Sequence, residues 1–172
     1  HHSLGIEKQD SLGICEVFCN SNVSLQEIIQ TGKHQNLDLL LSNIQDLLTE
    51  QTVNKIAADY YHLAQWLELN AASIYDFIII DAPASTSSLS INAMLAAHLI
   101  IVPLECEALA IKSLKRFLQA FKELQRTIEP RLRLAGILLT MYDHEILSHQ
   151  QICKQIYQTL GDSVFETIIP NC

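Results

Sequence analysis

The fold is decided by the stretch YDFIIIDAP at residues 75–83, in which four consecutive apolar residues lead into an aspartate. An uninterrupted run of β-branched and aromatic residues is typical of a strand whose two faces are both covered by other elements. We therefore predict a strand at residues 77–80 that ends at Asp81, followed by a proline that stiffens the exit.

Strands and helices alternate on both sides of this stretch, as judged from apolar runs and from apolar residues recurring every three or four positions. The predicted strands are 36–41, 77–80, 99–103, 132–140 and 164–169, and the predicted helices are 25–29, 53–69, a segment ending at 97, 109–128 and 146–160. Such alternation predicts an α/β fold, in which a mostly parallel sheet has helices on both faces.

The length and composition favour one domain over residues 1–172, because 172 residues of which 49% are hydrophobic can bury one sizeable core. No apolar run approaches the roughly 18 to 20 residues that cross a bilayer, so we predict no membrane span. The five cysteines show no repeated Cys-x-x-Cys spacing, which favours free thiols and a cytoplasmic location.

The charge of the chain is −8, which argues against a strong nucleic-acid footprint for the chain taken as a whole. Basic residues are nevertheless concentrated after residue 110. Seven of the eleven lie there within about twenty positions: Lys112, Lys115, Arg116, Lys122, Arg126, Arg131 and Arg133. A solvated helix face is the usual reading of such a cluster, and a surface for nucleic acid or another partner is the alternative.

Candidate site residues follow the predicted strands, because open parallel sheets bind ligands beyond the carboxyl ends of their strands. Asp81 is the leading candidate, since an aspartate in this position can hold Mg²⁺ through water or orient a nucleophilic water. The alternative for Asp81 is a capping or loop residue. A metal site at Cys15 and Cys19 is a weaker interpretation than two small apolar contacts. A metal site around Asp143 is likewise a weaker interpretation than capping residues of a loop.

Five segments carry a resemblance to a known family. They are YDFIIIDAPAS at 75–85, INAM at 91–94, PLECE at 103–107, GILLTMYD at 136–143 and VFETIIP at 164–170. In order and spacing they resemble the second half of the ParA/Soj partition ATPases, of the ParA/MinD type, and the likeness extends from about Ser3. The resemblance implies a P-loop NTPase-like fold, ATP and Mg²⁺ as cofactors, an ATP-driven homodimer, nonspecific DNA binding and a centromere-binding ParB-like partner.

The resemblance also implies roles for individual residues. Asp81 matches the Walker B-type aspartate near Mg²⁺, and residues 82–87, including Ala82 and Pro83, match the switch that reports the γ-phosphate. The residues that match segments around the adenine base are Thr140, Met141, Pro170 and Asn171. Relatives usually have two prolines and a glycine where this chain has Pro83-Ala84 and Ser87, and serine allows fewer backbone conformations than glycine.

The sequence contains no phosphate-binding loop of the form G-x-x-x-x-G-K-[ST]; its only Gly-Lys pair, Gly32-Lys33, predicts a turn. By the resemblance, that loop would lie upstream of residue 1 and a final helix would follow residue 172. We therefore expect an incomplete ATPase domain that is inactive alone, with exposed strand edges and a tendency to self-associate. Two alternatives stay open: a non-catalytic binding module that kept the fold, and a relative that positions another cellular machine.

Overall fold

The computed structural model describes residues 12–20, 22–32, 34–83, 85 and 87–171. The chain divides into two compact units, residues 1–96 and 97–172, and each contains a buried apolar cluster of its own. Among the described residues no helix combines the length and the hydropathy that crossing a membrane would require. The single domain over residues 1–172 stays a prediction.

The first unit is mainly helical. Its elements are α1 (Ile14–Cys19), α2 (Leu25–Ile28), β1 (Ile29–Thr31), β2 (Asp38–Leu40), α3 (Leu47–Ile56), α4 (His62–Asn70) and α5 (Ser88–Ala96). β1 and β2 pair in antiparallel register, with Ile29 opposite Leu40. The predicted capping box opens α2 as expected, because the Ser24 N–H donates to Glu27 Oε2 at 2.8 Å.

The single helix predicted over residues 53–69 is wrong, because the chain turns at residues 57–61 and forms α3 and α4 instead. The side chain of Asn92, which is fully buried on α5, hydrogen-bonds to the backbone at this break. Its Nδ2 donates to the Ala57 carbonyl at 2.6 Å and to the Asp59 carbonyl at 3.1 Å, and its Oδ1 accepts from the Leu63 N–H at 3.0 Å. One amide thus satisfies backbone groups that two helix ends would otherwise leave unpaired.

The strand predicted at residues 77–80 is also wrong. These residues form no ladder with any described strand, and the side chains of Phe77 and Ile79 are 87% and 93% exposed. Only Ile80 packs against the core of the first unit. An apolar run becomes a strand only when a neighbour pairs with its backbone N–H and C=O groups, and no described strand does so here.

The second unit is a three-stranded parallel sheet with two helices. Its elements are β3 (Ile100–Glu105), α6 (Ala108–Thr127), β4 (Leu134–Tyr142), α7 (Leu147–Leu160), a 3₁₀ turn (Gly161–Ser163) and β5 (Val164–Pro170), in the sheet order β3-β4-β5. The predicted strands and helices of this unit are confirmed, and Gly161 ends α7 with a φ of 48° that favours glycine. The α/β fold class with a parallel sheet is therefore confirmed.

The central strand β4 supplies the core of the second unit. Ile137 and Leu139 are fully buried, and Leu114 of α6 and Ile156 of α7 pack into the same cluster. Because β4 pairs with β3 and β5 on its two sides, the carboxyl ends of all three strands meet at one edge of the sheet.

Candidate functional site

Asp81, in the first unit, follows residues 77–80, which pair with no described strand. Its side chain is exposed, as are those of Ala82 and Pro83. No hydrogen bond or ion pair to the Asp81 carboxylate occurs within the described part of the chain. The exposed carboxylate is in contact with solvent, where a hydrated cation can reach it.

Three serine hydroxyls gather just after Asp81. Ser85 Oγ lies 2.7 Å from Ser90 Oγ and donates to Ser87 Oγ at 3.1 Å, while Ser90 Oγ donates to the Pro83 carbonyl at 3.2 Å. The Ser90 N–H also donates to Ser87 Oγ at 3.3 Å at the start of α5. This serine cluster ties the loop after Asp81 to the first turn of a helix, where N–H groups and hydroxyls favour anions.

The position of the serine cluster depends on Asn92. Ser90 and Asn92 are both buried on α5, and Asn92 fixes this helix to the break between α3 and α4. The polar run 85–90, which includes Ser90, predicts a phosphate-facing loop or a helix N-cap. The resemblance includes INAM at 91–94 but gives Asn92 no role; the signal that could have found Asn92 is a polar residue within an otherwise apolar stretch that a buried helix would cover.

A second group of candidate residues lies at the carboxyl edge of the sheet in the second unit. Thr140 is opposite Glu105 of β3, and Tyr142 is opposite Pro170 of β5. The Asn171 N–H donates to the Tyr142 carbonyl at 3.0 Å, which extends the pairing past the end of β5. Thr140, Met141, Pro170 and Asn171 therefore come together on two neighbouring strands.

Met141 has an unusual backbone conformation. Its φ is 54°, in the left-handed region that non-glycine residues seldom adopt, and its side chain is half exposed. Strained backbone of this kind persists where the surrounding structure determines it, and it clusters at binding sites. The strain falls at one of the positions predicted to surround a base.

The loop after β4 is built from local hydrogen bonds. Asp143 Oδ1 accepts from the Glu145 N–H at 2.8 Å, and the Asp143 N–H donates to His149 Nδ1 at 3.1 Å. These contacts are those of a loop that leads into α7. Among the described residues, no cluster of three or more histidine, cysteine or acidic side chains forms a metal site.

Cys106, within the PLECE segment, follows β3 and is almost fully buried. Burial is the main cause of the raised pKa of its thiol, and the nearby Cys153 adds to the shift. A thiol that stays protonated in an apolar core is a packing residue rather than a nucleophile.

The predicted site residues thus fall into two groups, one in each unit. Asp81, Ala82 and Pro83 adjoin the serine cluster in the first unit, and Thr140, Met141, Pro170 and Asn171 share the sheet edge of the second. The exposed carboxylate of Asp81 suits Mg²⁺, which prefers a few carboxylate ligands with water. A phosphate cradle does not fit the residues present, because the sequence has no Gly-rich loop with a lysine.

Residues 2–134 match the family model AAA_31, described as an AAA domain. The chain belongs to this AAA-domain family. Within it, the ParA/Soj resemblance is confirmed by curated relatives. The chromosome partitioning protein ParA of Caulobacter vibrioides is 34% identical over 122 residues, which are 70% of this chain and 46% of that protein.

A second relative of this AAA domain is the sporulation initiation inhibitor protein Soj of Bacillus subtilis. It is 30% identical over 167 residues, which are 97% of this chain and 66% of Soj. The chain therefore spans about half of the ParA relative and just under two thirds of Soj.

Solved structures have the same fold as this AAA domain. Cobyrinic acid a,c-diamide synthase from Mycobacterium smegmatis, with bound ADP and magnesium, aligns with a TM-score of 0.84 at 28% identity over 99% of this chain and 69% of that one. A plasmid partition protein from Borrelia burgdorferi aligns with a TM-score of 0.70 at 22% identity, over 99% of this chain and 68% of that one. These matches confirm the P-loop NTPase-like fold.

Proposed function

We propose that the protein to which this chain belongs is a ParA-like ATPase that acts in chromosome or plasmid partition. The observation that carries the proposal is the exposed carboxylate of Asp81, which follows an apolar run and precedes the serine cluster along the chain. In this proposal Asp81 holds Mg²⁺ through its waters, and Mg²⁺ neutralises charge on the phosphates of ATP. In this proposal the serine hydroxyls of the cluster hydrogen-bond within the loop that responds to the γ-phosphate.

In this proposal the nucleotide base is contacted by the second group of residues, at the carboxyl edge of the sheet in the second unit. Thr140 and Met141 at the end of β4, with Pro170 and Asn171 at the end of β5, contact adenine. Their shared edge of the sheet and the strained backbone of Met141 support this assignment. The sequence contains no Gly-rich phosphate-binding loop, so this proposal expects no ATP turnover by the chain alone.

The finer parts of the proposal follow from the resemblance to the ParA/Soj partition ATPases. ATP binding drives formation of a homodimer, the dimer binds DNA without sequence preference, and a ParB-like centromere-binding protein is the partner. The protein acts in the cytoplasm, where the thiols of Cys15, Cys19, Cys106 and Cys153 stay reduced.

ATP turnover tests the role of Asp81. It is measured for this chain and for the longest protein that its coding sequence encodes in the same reading frame. We expect turnover only in a longer protein that contains a P-loop, and a loss of about 100-fold or more in Asp81→Asn, because the metal contributes several kcal/mol to the transition state.

The matched control is Asp76→Asn, which removes an exposed carboxylate from the other end of the run 77–80. We expect this variant to keep full turnover. Equal losses in the two variants, or full turnover in Asp81→Asn, would contradict the proposal.

A non-catalytic binding module is the second candidate, and the absence of a P-loop motif from the sequence favours it. The same reading of the coding sequence separates the two functions. An open reading frame without a P-loop, together with no ATP turnover, would favour the module over the ATPase.

A further inference from the structure

Met141 stands at a β-bulge near the carboxyl end of β4. Leu139 of this strand is opposite Ile168 of β5. Tyr142, three positions further along β4, is opposite Pro170, which is only two positions further along β5. The extra residue of β4 is accommodated where Met141 has its φ of 54°. A bulge of this kind changes the direction of a side chain, and bulges are frequent beside binding sites.

The peptide group between Tyr142 and Asp143 is hydrogen-bonded at both of its polar atoms. The Tyr142 carbonyl accepts from the Asn171 N–H at 3.0 Å, and the Asp143 N–H donates to His149 Nδ1 at 3.1 Å. Asn171 follows β5 and His149 lies in the first turn of α7. Two different elements therefore fix the peptide plane that comes directly after the bulge.

Of these two bonds, only the one to His149 depends on the type of side chain, because Asn171 uses its backbone N–H. The imidazole Nδ1 is the acceptor, so a neutral ring carries its proton on Nε2. The rings of His149 and Tyr142 also lie near each other, with their centroids 6.5 Å apart. Residue 149 thus decides whether this peptide plane is held from the side of α7.

The bond of His149 is not needed to start α7 or to attach the loop. The imidazole accepts from an N–H in the loop before the helix, so this bond does not cap an N–H of α7. The loop is tied to α7 independently, because Gln150 Nε2 donates to the His144 carbonyl at 2.7 Å. We therefore expect variants at residue 149 to fold.

We propose that His149 is a positioning residue for the nucleotide base, which it serves by keeping Met141 in its left-handed conformation. The inference rests on the base site of the proposed function and adds to it a residue that does not touch the base. A left-handed methionine persists where its surroundings determine it. The Met141 side chain is 48% exposed, and a thioether makes favourable contacts with aromatic rings. Holding it in place beforehand lowers the entropy cost of binding a base.

Methionine-methyl NMR tests the position of Met141 without any ligand. The chain has two methionines, Met94 and Met141, so ¹³C labelling of the methyl groups gives two signals, which Met94→Leu assigns. Met94 lies on α5 in the first unit and serves as an internal reference. His149→Ala should shift and broaden the Met141 signal and leave the Met94 signal in place.

Two further variants separate the hydrogen bond from a general loss of packing. His149→Asn keeps an acceptor, because its Oδ1 lies as many bonds from the backbone as Nδ1 does, and it should restore the Met141 signal. The matched control is His144→Ala, which removes an exposed imidazole from the same loop. It should leave the Met141 signal unchanged. Circular dichroism reports the fold of each variant.

The second measurement adds the base. Adenosine and Mg-ATP are titrated into the labelled chain and into the longest protein that its coding sequence encodes in the same reading frame. The Met141 signal should move with added ligand. We expect the dissociation constant read from this signal to rise about fivefold in His149→Ala, the size of one neutral hydrogen bond, and to return to the native value in His149→Asn.

The two measurements fail in different ways. A Met141 signal that is the same in His149→Ala as in the native chain would overturn the inference, and so would a signal that His149→Asn does not restore. A Met141 signal that responds to His149→Ala but to neither ligand would overturn the base site itself, and with it the role of His149 in binding.

Discussion

Residues 77–80 in the first unit and Ile100–Glu105 in the second are apolar runs of similar composition with opposite surroundings. Ile100–Glu105 pairs with β4 residue by residue, while Phe77 and Ile79 are almost fully exposed and pair with no described strand. The difference teaches that an apolar run supplies only the tendency to form a strand. A strand forms only where a neighbouring strand pairs with the backbone N–H and C=O groups of the run.

The two units also differ in what joins their elements. In the second unit the ladders of β4 with β3 and β5 do this, with Ile137 and Leu139 buried at the centre. In the first unit the amide of Asn92 joins three helices. Substitutions in the two units should therefore differ in size in a way that can be measured.

The largest effect is expected at the central strand. Leu139→Ala removes a fully buried side chain from the core of the second unit and should lower the free energy of unfolding by about 2–5 kcal/mol. Ile79→Ala is the matched change in the unpaired run and should alter it by less than about 0.5 kcal/mol. Urea unfolding measures both. Similar losses would mean that residues 77–80 are packed like a strand.

The next effect is expected at Asn92. Asn92→Ala leaves the Ala57 carbonyl and the Leu63 N–H without a partner in a buried site, which should cost about 2–3 kcal/mol. Asn70→Ala is the control, because within the described parts of the chain the Asn70 side chain bonds only the Trp66 carbonyl of its own helix. The same urea unfolding measures both variants. A cost for Asn92→Ala no larger than that for Asn70→Ala would show that the ends of α3 and α4 need no such support.

A smaller effect of pH is expected from Cys15. Burial, then the nearby Glu16 carboxylate, raises the pKa of this thiol to about 11. Because the folded pKa exceeds the unfolded one, the contribution of the thiol to stability is complete below the unfolded pKa near 9. It is lost as the pH rises towards 11.

Urea unfolding from pH 8 to 11 measures this loss. Cys15→Ala should flatten the curve, whereas Cys19→Ala should not, because Cys19 is exposed. Parallel curves for the native chain and Cys15→Ala would contradict the prediction.

The smallest effect is expected at Trp66. Its ring is buried, yet its Nε1 has no hydrogen-bond partner among the described residues. Trp66→Phe keeps most of the apolar contact and removes an unpaired donor, so the two effects oppose each other and the change should be under about 1 kcal/mol. A loss above about 2 kcal/mol would show that the indole N–H is satisfied in solution.

Much of the second unit follows from the sequence, because each of its strands and helices has a local signal. These signals are the apolar runs of the strands, the apolar face of α6 and Gly161 after α7. The break between α3 and α4 cannot be predicted from the local sequence. The backbone groups at these helix ends are paired by the side-chain amide of Asn92, some thirty residues later. The serine cluster is partly predictable. The resemblance at 82–87 and the polar run 85–90 predict a loop near phosphate or a helix N-cap, whereas the hydrogen bonds of Ser90 with Ser85 and the Pro83 carbonyl depend on how α5 begins.

Residues 77–80 form an apolar run that pairs with no described strand and leads to Asp81. Hydrogen exchange of this chain, resolved by mass spectrometry of short peptides, tests that claim directly. We predict that the amides of residues 77–80 exchange at rates within about tenfold of those of an unstructured peptide. The amides of Leu134–Tyr142 should exchange only through opening with a free energy close to that of global unfolding. Equal protection of the two segments would contradict the account.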